Sequence, residues 1–161
     1  MAVPDPSDPC PCGAGPYGEG CGRFHDGEAA PTAETLMRSR YSAYALGRVD
    51  YLIATLAPEQ REPGLRASLE QSCADTAWLG LTVLATRAGG PDDVTGTVEF
   101  RAVHGDPDEP ASRGYIQELS RFEKRDGRWL YVDGRHSRHG LGRNDRCWCL
   151  SGKKLKSCHK E

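Results

Sequence analysis

The chain has 161 residues, 27% of them charged, and a formal net charge of −2. That length suits one domain with small additions, the near-neutral charge argues against a general nucleic-acid binder, and no run approaches the roughly twenty apolar residues of a membrane span. The charge is nevertheless uneven, with residues before Pro31 mostly acidic and those from Arg135 onward mostly basic.

The opening Met1-Ala2-Val3-Pro4-Asp5 has neither a basic nor an apolar stretch of the kind a secretory signal carries, so a cytoplasmic location with reduced or metal-bound cysteines is expected. Cys10, Cys12 and Cys21 follow in C-x-C-x8-C spacing. Three thiolates make a strong partial zinc site. The position after Cys21 is Gly22, which offers no ligand, so His25 is the candidate fourth, with Asp26 a weaker one. A rigid Gly/Pro loop with no metal is the plain alternative.

Thr32 is placed to cap a helix with Glu34 in its first turn. Leu36, Met37, Tyr41, Tyr44 and Ala45 then recur at helical spacing up to Gly47, a natural stop. Asp50 opens a shorter helix through Leu56, with Val49, Leu52, Ile53 and Leu56 on one side. A third helix from Pro63 carries Leu65, Leu69 and Cys73, which makes Cys73 a buried small hydrophobe rather than a reactive thiol.

After Asp75 the period becomes two. Leu79, Leu81, Val83 and Ala85 mark one strand and Val98, Phe100 and Ala102 a second, with Gly89 to Asp93 as the turn between them. Gly105 to Pro110 reads as an acidic loop and Tyr115 to Lys124 as a third strand. Asp126-Gly127 is a two-residue hairpin into Trp129-Leu130-Tyr131-Val132, in a register that sets Lys124 opposite Trp129 and Phe122 opposite Tyr131. Glu99, Arg101, His104, Glu118 and Arg121 are the strand residues that chemistry would use. Alternation sends Glu99 and Arg101 to the face opposite Val98, and no nucleophile, base and orienting group can be assembled from the set. Tyr41 and Arg38-Ser39-Arg40 are alternative pocket-lining residues.

The end of the chain repeats the cysteine spacing: Cys147, Cys149, Cys158 and His159 form C-x-C-x8-C-H, three thiolates and an imidazole for one tetrahedral ion. A disulfide or an unpaired tail is the alternative reading. Iron is as acceptable as zinc to such a donor set. Arg143, Arg146, Lys153, Lys154 and Lys156 surround the cluster and Trp148 projects from it, a combination suited to an acidic protein surface or to RNA phosphates.

Gly142-Arg143-Asn144-Asp145 followed by this cluster resembles the SEC-C motif, the metal-binding tail of the preprotein translocase motor SecA. The copy departs from that motif at Arg146, Trp148 and Leu150, and keeps all four ligands. The helices-then-meander layout resembles the nuclear transport factor 2-like cone. Gly22-Arg23-Phe24-His25 and the run from Pro31 to Tyr44, taken with the flanking clusters, are similar to the bacterial YchJ family.

The expected fold is therefore α+β, a cone-like set of three helices with a curled four-stranded antiparallel sheet, flanked by two small metal knuckles. The divisions expected are an N-terminal knuckle over 1–28, the cone over 31–134 and the SEC-C motif over 140–161. The function expected is a metal-binding, non-enzymatic cytoplasmic adaptor, with protein-export or ribosome-associated chaperone machinery as what the SEC-C resemblance implies. A protein partner with an acidic surface leads, RNA or the ribosome follows, and neither a membrane span nor DNA specificity is expected. The alternative is a small-molecule-binding or enzymatic cone, which a pocket with convergent polar groups would favour.

Overall fold

The structure, a computed structural model, describes residues 4–106 and 109–140. Four helices run in the order α1 (Cys21–His25), α2 (Ala33–Leu46), α3 (Val49–Ala54) and α4 (Leu65–Asp75). Four strands follow: β1 (Trp78–Ala88), β2 (Thr95–Asp106), β3 (Glu109–Arg125) and β4 (Arg128–Gly140). The strands form one open antiparallel meander in the order β1-β2-β3-β4. Bulges between Val83 and Ala85 and between Arg121 and Phe122 bend it, because an extra residue on one strand raises the local twist.

Helix α2 is the element on which the rest is hung. Thr32 caps it by accepting from the Thr35 N–H at 3.1 Å, and Gly47, at φ 72°, ends it in a conformation that glycine adopts without penalty. Leu36, Met37 and Ala33 pack with Val98, Phe122 and Trp129 of the sheet. Each fully buried side chain of this size contributes roughly 1.5–3 kcal/mol. On the helix's other flank Ala43 joins Val49, Leu52, Leu69 and Cys73 of α3 and α4. The segment after α3 closes the cone, with Tyr131 donating its N–H to Thr55 O at 2.8 Å and accepting from Ala57 N–H at 2.9 Å.

The cone, its three helices and its meander are as the sequence indicates, including the pairings Lys124 with Trp129 and Phe122 with Tyr131. Three local readings change. Asp50 is not a cap: α3 begins at Val49 after Arg48 and ends at Ala54, and Asp50 pairs with Arg66 at 2.7 Å. β4 continues eight residues past Val132 to Gly140, because its polar second half pairs with β3 along one edge. The segment read as an acidic loop is shorter than expected, with Asp106 and Glu109 already paired across β2 and β3. Cys73 is a buried free thiol, and burial pushes its pKa up.

Candidate metal centre

The first cysteine cluster is built from a chain reversal. Pro9 and Pro16 pair as an isolated antiparallel bridge, and inside it Cys10 N–H donates to Gly15 O while Gly13 N–H donates to Cys10 O, both at 2.9 Å. The chain returns through a 3-10 turn at Tyr17–Glu19 and places Cys21 as the first residue of α1. Cys10, Cys12 and Cys21 thereby converge, their sulfurs within 4.8 Å of one another and all three side chains buried.

The spacing suits a metal. Sulfurs held about 2.3 Å from one tetrahedral ion lie about 3.8 Å apart, and here Cys10 and Cys12 Sγ are 3.5 Å apart and Cys12 and Cys21 Sγ 3.7 Å apart. Ser42 Oγ, fully buried on α2, lies 3.3 Å from Cys10 Sγ and 3.3 Å from Cys21 Sγ. A hydroxyl there can support thiolates as donor or fill a fourth position with its oxygen.

The three sulfurs do not share charge evenly. The Cys12 thiol, and after it that of Cys21, hydrogen-bonds to Cys10 and pulls the Cys10 pKa down to about 2. Cys12 is pushed up first by its bond to Cys10, and Cys21 first by its bond to Cys10 and then by that to Cys12, with burial adding to both. The hydrogen bonds among the sulfurs therefore favour the charged form at Cys10 over the other two. A dication taking all three sulfurs displaces the protons they hold.

His25 is not brought to this cluster. Its Nε2 lies 2.8 Å from the Ser39 carbonyl oxygen, which can only accept, so Nε2 carries the proton and Nδ1 accepts from Tyr17 Oη at 2.6 Å. Burial pushes its pKa down and keeps it neutral. The ring is a strut joining the knuckle to α2. Asp26 forms the C-cap of α1. Gly22 is required where it stands, since a Cβ there would lie 2.8 Å from Tyr17 O and 2.9 Å from the Tyr17 ring. The knuckle packs into the core instead of hanging from it, with Tyr17 and the three cysteines against Tyr41 and Ala102.

A second site lies inside the cone. A cavity of about 270 Å³ is enclosed by α2, the end of α4 and the concave face of the sheet. Arg40 lies buried in its wall, giving Nη1–H bonds to Leu52 O at 2.8 Å and Thr55 Oγ1 at 2.7 Å, with its guanidinium 4.8 Å from the centre of the Tyr131 ring. Glu118 Oε2 accepts from Tyr131 Oη at 3.1 Å and from Ser120 Oγ. Of the strand residues singled out from the sequence, His104 and Glu118 line this cavity. Glu99, Arg101 and Arg121 lie on the outer face, where Gln117 bridges Glu99 and Arg101 and Asp133 pairs with Arg121. Tyr41 and Arg40 line the cavity, whereas Arg38 is spent on Glu34 and Cys12 O, and Ser39 on Leu36 O and Tyr51. A larger cleft of about 850 Å³ runs between α3, the α1–α2 connection and β4. Among its lining residues Arg66 pairs with Asp50, Glu28 with Arg23, and Arg128 donates to Gly27 O.

Cys147, Cys149, Cys158 and His159, with Arg143, Arg146, Trp148, Lys153, Lys154 and Lys156, lie outside the described residues. Among the described residues no helix is long and apolar enough to cross a membrane.

Comparison with known proteins agrees with these features. The family model described as the YchJ middle NTF2-like domain matches residues 32–134, and the SEC-C motif matches residues 143–161. A UPF0225 protein of Pectobacterium carotovorum is 44% identical over 154 residues, covering 94% of this chain and 97% of its own. A SEC-C motif containing protein from Rhodopseudomonas palustris, solved in solution, superposes with a TM-score of 0.70 at 34% identity over 80% of this chain and 98% of that one. The crystal structure of another SEC-C motif containing protein, from Psychrobacter arcticus, gives 0.66 at 30% identity over 95% and 96%. A protein with a cystatin-like fold from Caulobacter vibrioides gives 0.50 at 12% identity over 70% and 90%, a likeness of fold alone.

Proposed function

The chain belongs to the YchJ family, and on that footing we propose that it is a metal-binding interaction protein. Cys10, Cys12 and Cys21 hold one divalent ion, zinc first and iron where availability favours it, with Ser42 as fourth ligand or as hydroxyl donor to the thiolates. The single observation behind this reading is the convergence of three buried thiols against α2 at spacings a tetrahedral ion requires. Such a centre is structural. Residues 4–25 have few apolar side chains of their own, so a metal adds the free energy that fastens them to the cone.

Cys147, Cys149, Cys158 and His159 hold a second ion and present Arg143, Arg146, Lys153, Lys154 and Lys156 as a cationic surface, with Trp148 as apolar anchor. Three thiolates around a dication leave about one negative charge, which those residues outweigh. An acidic protein surface, in export or ribosome-associated chaperone machinery, is the partner class this charge suits. The reading assigns the protein to the cytoplasm and gives it no catalytic reaction.

Metal analysis of the full chain purified without added metal tests it. Cys12→Ser and Cys158→Ser should each remove one equivalent, and both together two. Replacing Lys153, Lys154 and Lys156 by Glu should abolish capture of an acidic partner with metal content unchanged. Undiminished metal in Cys12→Ser contradicts the N-terminal centre, and undiminished capture contradicts the basic surface.

A further inference from the structure

The cone cavity has no part in a metal-centred interaction protein, yet it holds two opposite charges that do not meet. Arg40 on α2, 8% exposed, and Glu118 on β3 both line it. They form no ion pair with each other or with another described residue. A guanidinium cannot shed its proton, and a buried charge is costly unless it is paired. Tyr131 measures the gap between the two: the Arg40 guanidinium lies 4.8 Å from its ring centre, and Glu118 Oε2 lies 3.1 Å from its hydroxyl. The charges are held near each other and out of contact.

Each side chain is half spent. Arg40 gives Nη1 to Leu52 O and Thr55 Oγ1, which leaves Nε and Nη2, the edge of the guanidinium that a carboxylate takes with two parallel bonds. The Tyr44 hydroxyl lies beside that guanidinium. Glu118 accepts from Tyr131 and Ser120 through Oε2, and its Oε1 accepts from none of the described residues. The polar atoms that packing closes off without a partner are Trp78 Nε1, His104 Nε2 and Arg113 Nε, so Arg40 Nε and Nη2 and Glu118 Oε1 are not shut in. Both residues line this cavity and not the larger cleft, so these atoms open onto the space inside the cone.

The two charges select the ligand. A lone carboxylate would meet Arg40 and set like charge beside Glu118, a lone ammonium would do the reverse, and a hydrocarbon would meet neither. An ammonium and a carboxylate on one carbon satisfy both. Met37, Phe100, Ile116 and Phe122 add apolar lining, and a volume of about 270 Å³, just below the roughly 300–1,000 Å³ of sites for drug-sized molecules, is of amino-acid scale. Arg138 and His136 complete the charged lining from exposed positions, where water screens them. We propose that the cone cavity binds an α-amino acid with an apolar side chain, its carboxylate on the Nε–Nη2 edge of Arg40 and its ammonium on Glu118 Oε1. The site is separate from the thiol centre and does not rest on which metal that centre takes.

Titrating the full-length protein, labelled with 13C at its methionine methyls, with L-leucine tests it. The chain has two methionines, and the Met37 methyl reports from the cavity lining. A saturable shift of Met37 is expected. 4-Methylpentanoate, which lacks the ammonium, and 3-methylbutylamine, which lacks the carboxylate, should each bind at least about tenfold more weakly, the scale of one hydrogen bond to a charged group. Arg40 also supports Leu52 and Thr55, so its part is read from the amine in the wild type and not from a variant. Glu118→Gln keeps an acceptor for Tyr131 and Ser120 and loses the charge. In that variant the preference for leucine over 4-methylpentanoate should vanish while the preference over the amine remains. A shift that never saturates, equal affinity for either analogue in the wild type, or an undiminished preference over 4-methylpentanoate in Glu118→Gln overturns the proposal.

Discussion

The thiol cluster and the cone cavity share α2 as a common wall and treat their polar groups in opposite ways. At the cluster every buried polar atom is answered from within: three sulfurs bond one another and Ser42, and both nitrogens of His25 are taken by Tyr17 and Ser39. Beside the cavity Trp78 Nε1 and His104 Nε2 are left over. A site whose groups close on themselves is fit to be permanent structure. Polar atoms left over beside the cavity, closed off from its space, are a local cost that the packing around them carries.

That difference can be broken most severely at the sulfurs. Cys12→Ser removes the middle member, which bonds both other sulfurs, and should cost one metal equivalent together with the docking of residues 4–25, seen as loss of protection in amide hydrogen exchange there. Ser42→Ala is gentler: the three thiolates remain, and metal affinity measured by chelator competition should fall about 10–100-fold, the usual range for a supporting group.

His25→Ala separates the strut from the metal. Metal content should be unchanged while stability falls by about 1–3 kcal/mol, because Tyr17 Oη and Ser39 O each lose a buried partner. The histidine also sets a pH dependence. Its folded pKa lies below the ordinary value, so the stability it contributes is present above about pH 6.5 and is lost as pH falls through the folded pKa. Chemical denaturation at several pH values should show this slope in the wild type and a flatter one in the variant. Acid also competes for the sulfurs, since Cys12 and Cys21 must lose protons to a metal, so metal retention should rise with pH. The smallest effect falls on the wall common to both sites. Thr32→Ala should cost about 1 kcal/mol by removing the α2 cap, with metal content and cavity chemistry unchanged.

Local features of the fold were legible from residue order. Thr32 and Gly47 bound α2 because caps act within one turn, and Asp126-Gly127 fixes the Phe122–Tyr131 register because a two-residue hairpin allows little else. The second half of β4 was not legible, since Arg135-His136-Ser137-Arg138 has no apolar alternation and is a strand only through its pairing with β3. At the candidate site, spacing announced the three sulfurs, but the role of His25 depends on Tyr17 and Ser39, which sequence distance hides. Ser42 is hidden in the same way, since it meets Cys10 and Cys21 from α2. The cavity left a fainter mark. His104 continues the face of Val98, Phe100 and Ala102, Glu118 shares a face with Ile116 and Phe122, and Arg40 sits amid the apolar stripe of α2. A charged or titratable residue at an apolar position of the pattern is a signal of an internal site, and its partners come from other elements.

The central claim, that Cys10, Cys12 and Cys21 form a metal centre without His25, is tested most directly by X-ray absorption at the metal edge. The protein to use is the full chain carrying Cys158→Ser and His159→Ala, so that the N-terminal site supplies the signal. The account predicts one bound ion with three sulfur neighbours at about 2.3 Å and one oxygen neighbour at about 2.0 Å. Absence of bound metal, or a nitrogen shell with imidazole scattering that His25→Ala abolishes, would contradict it.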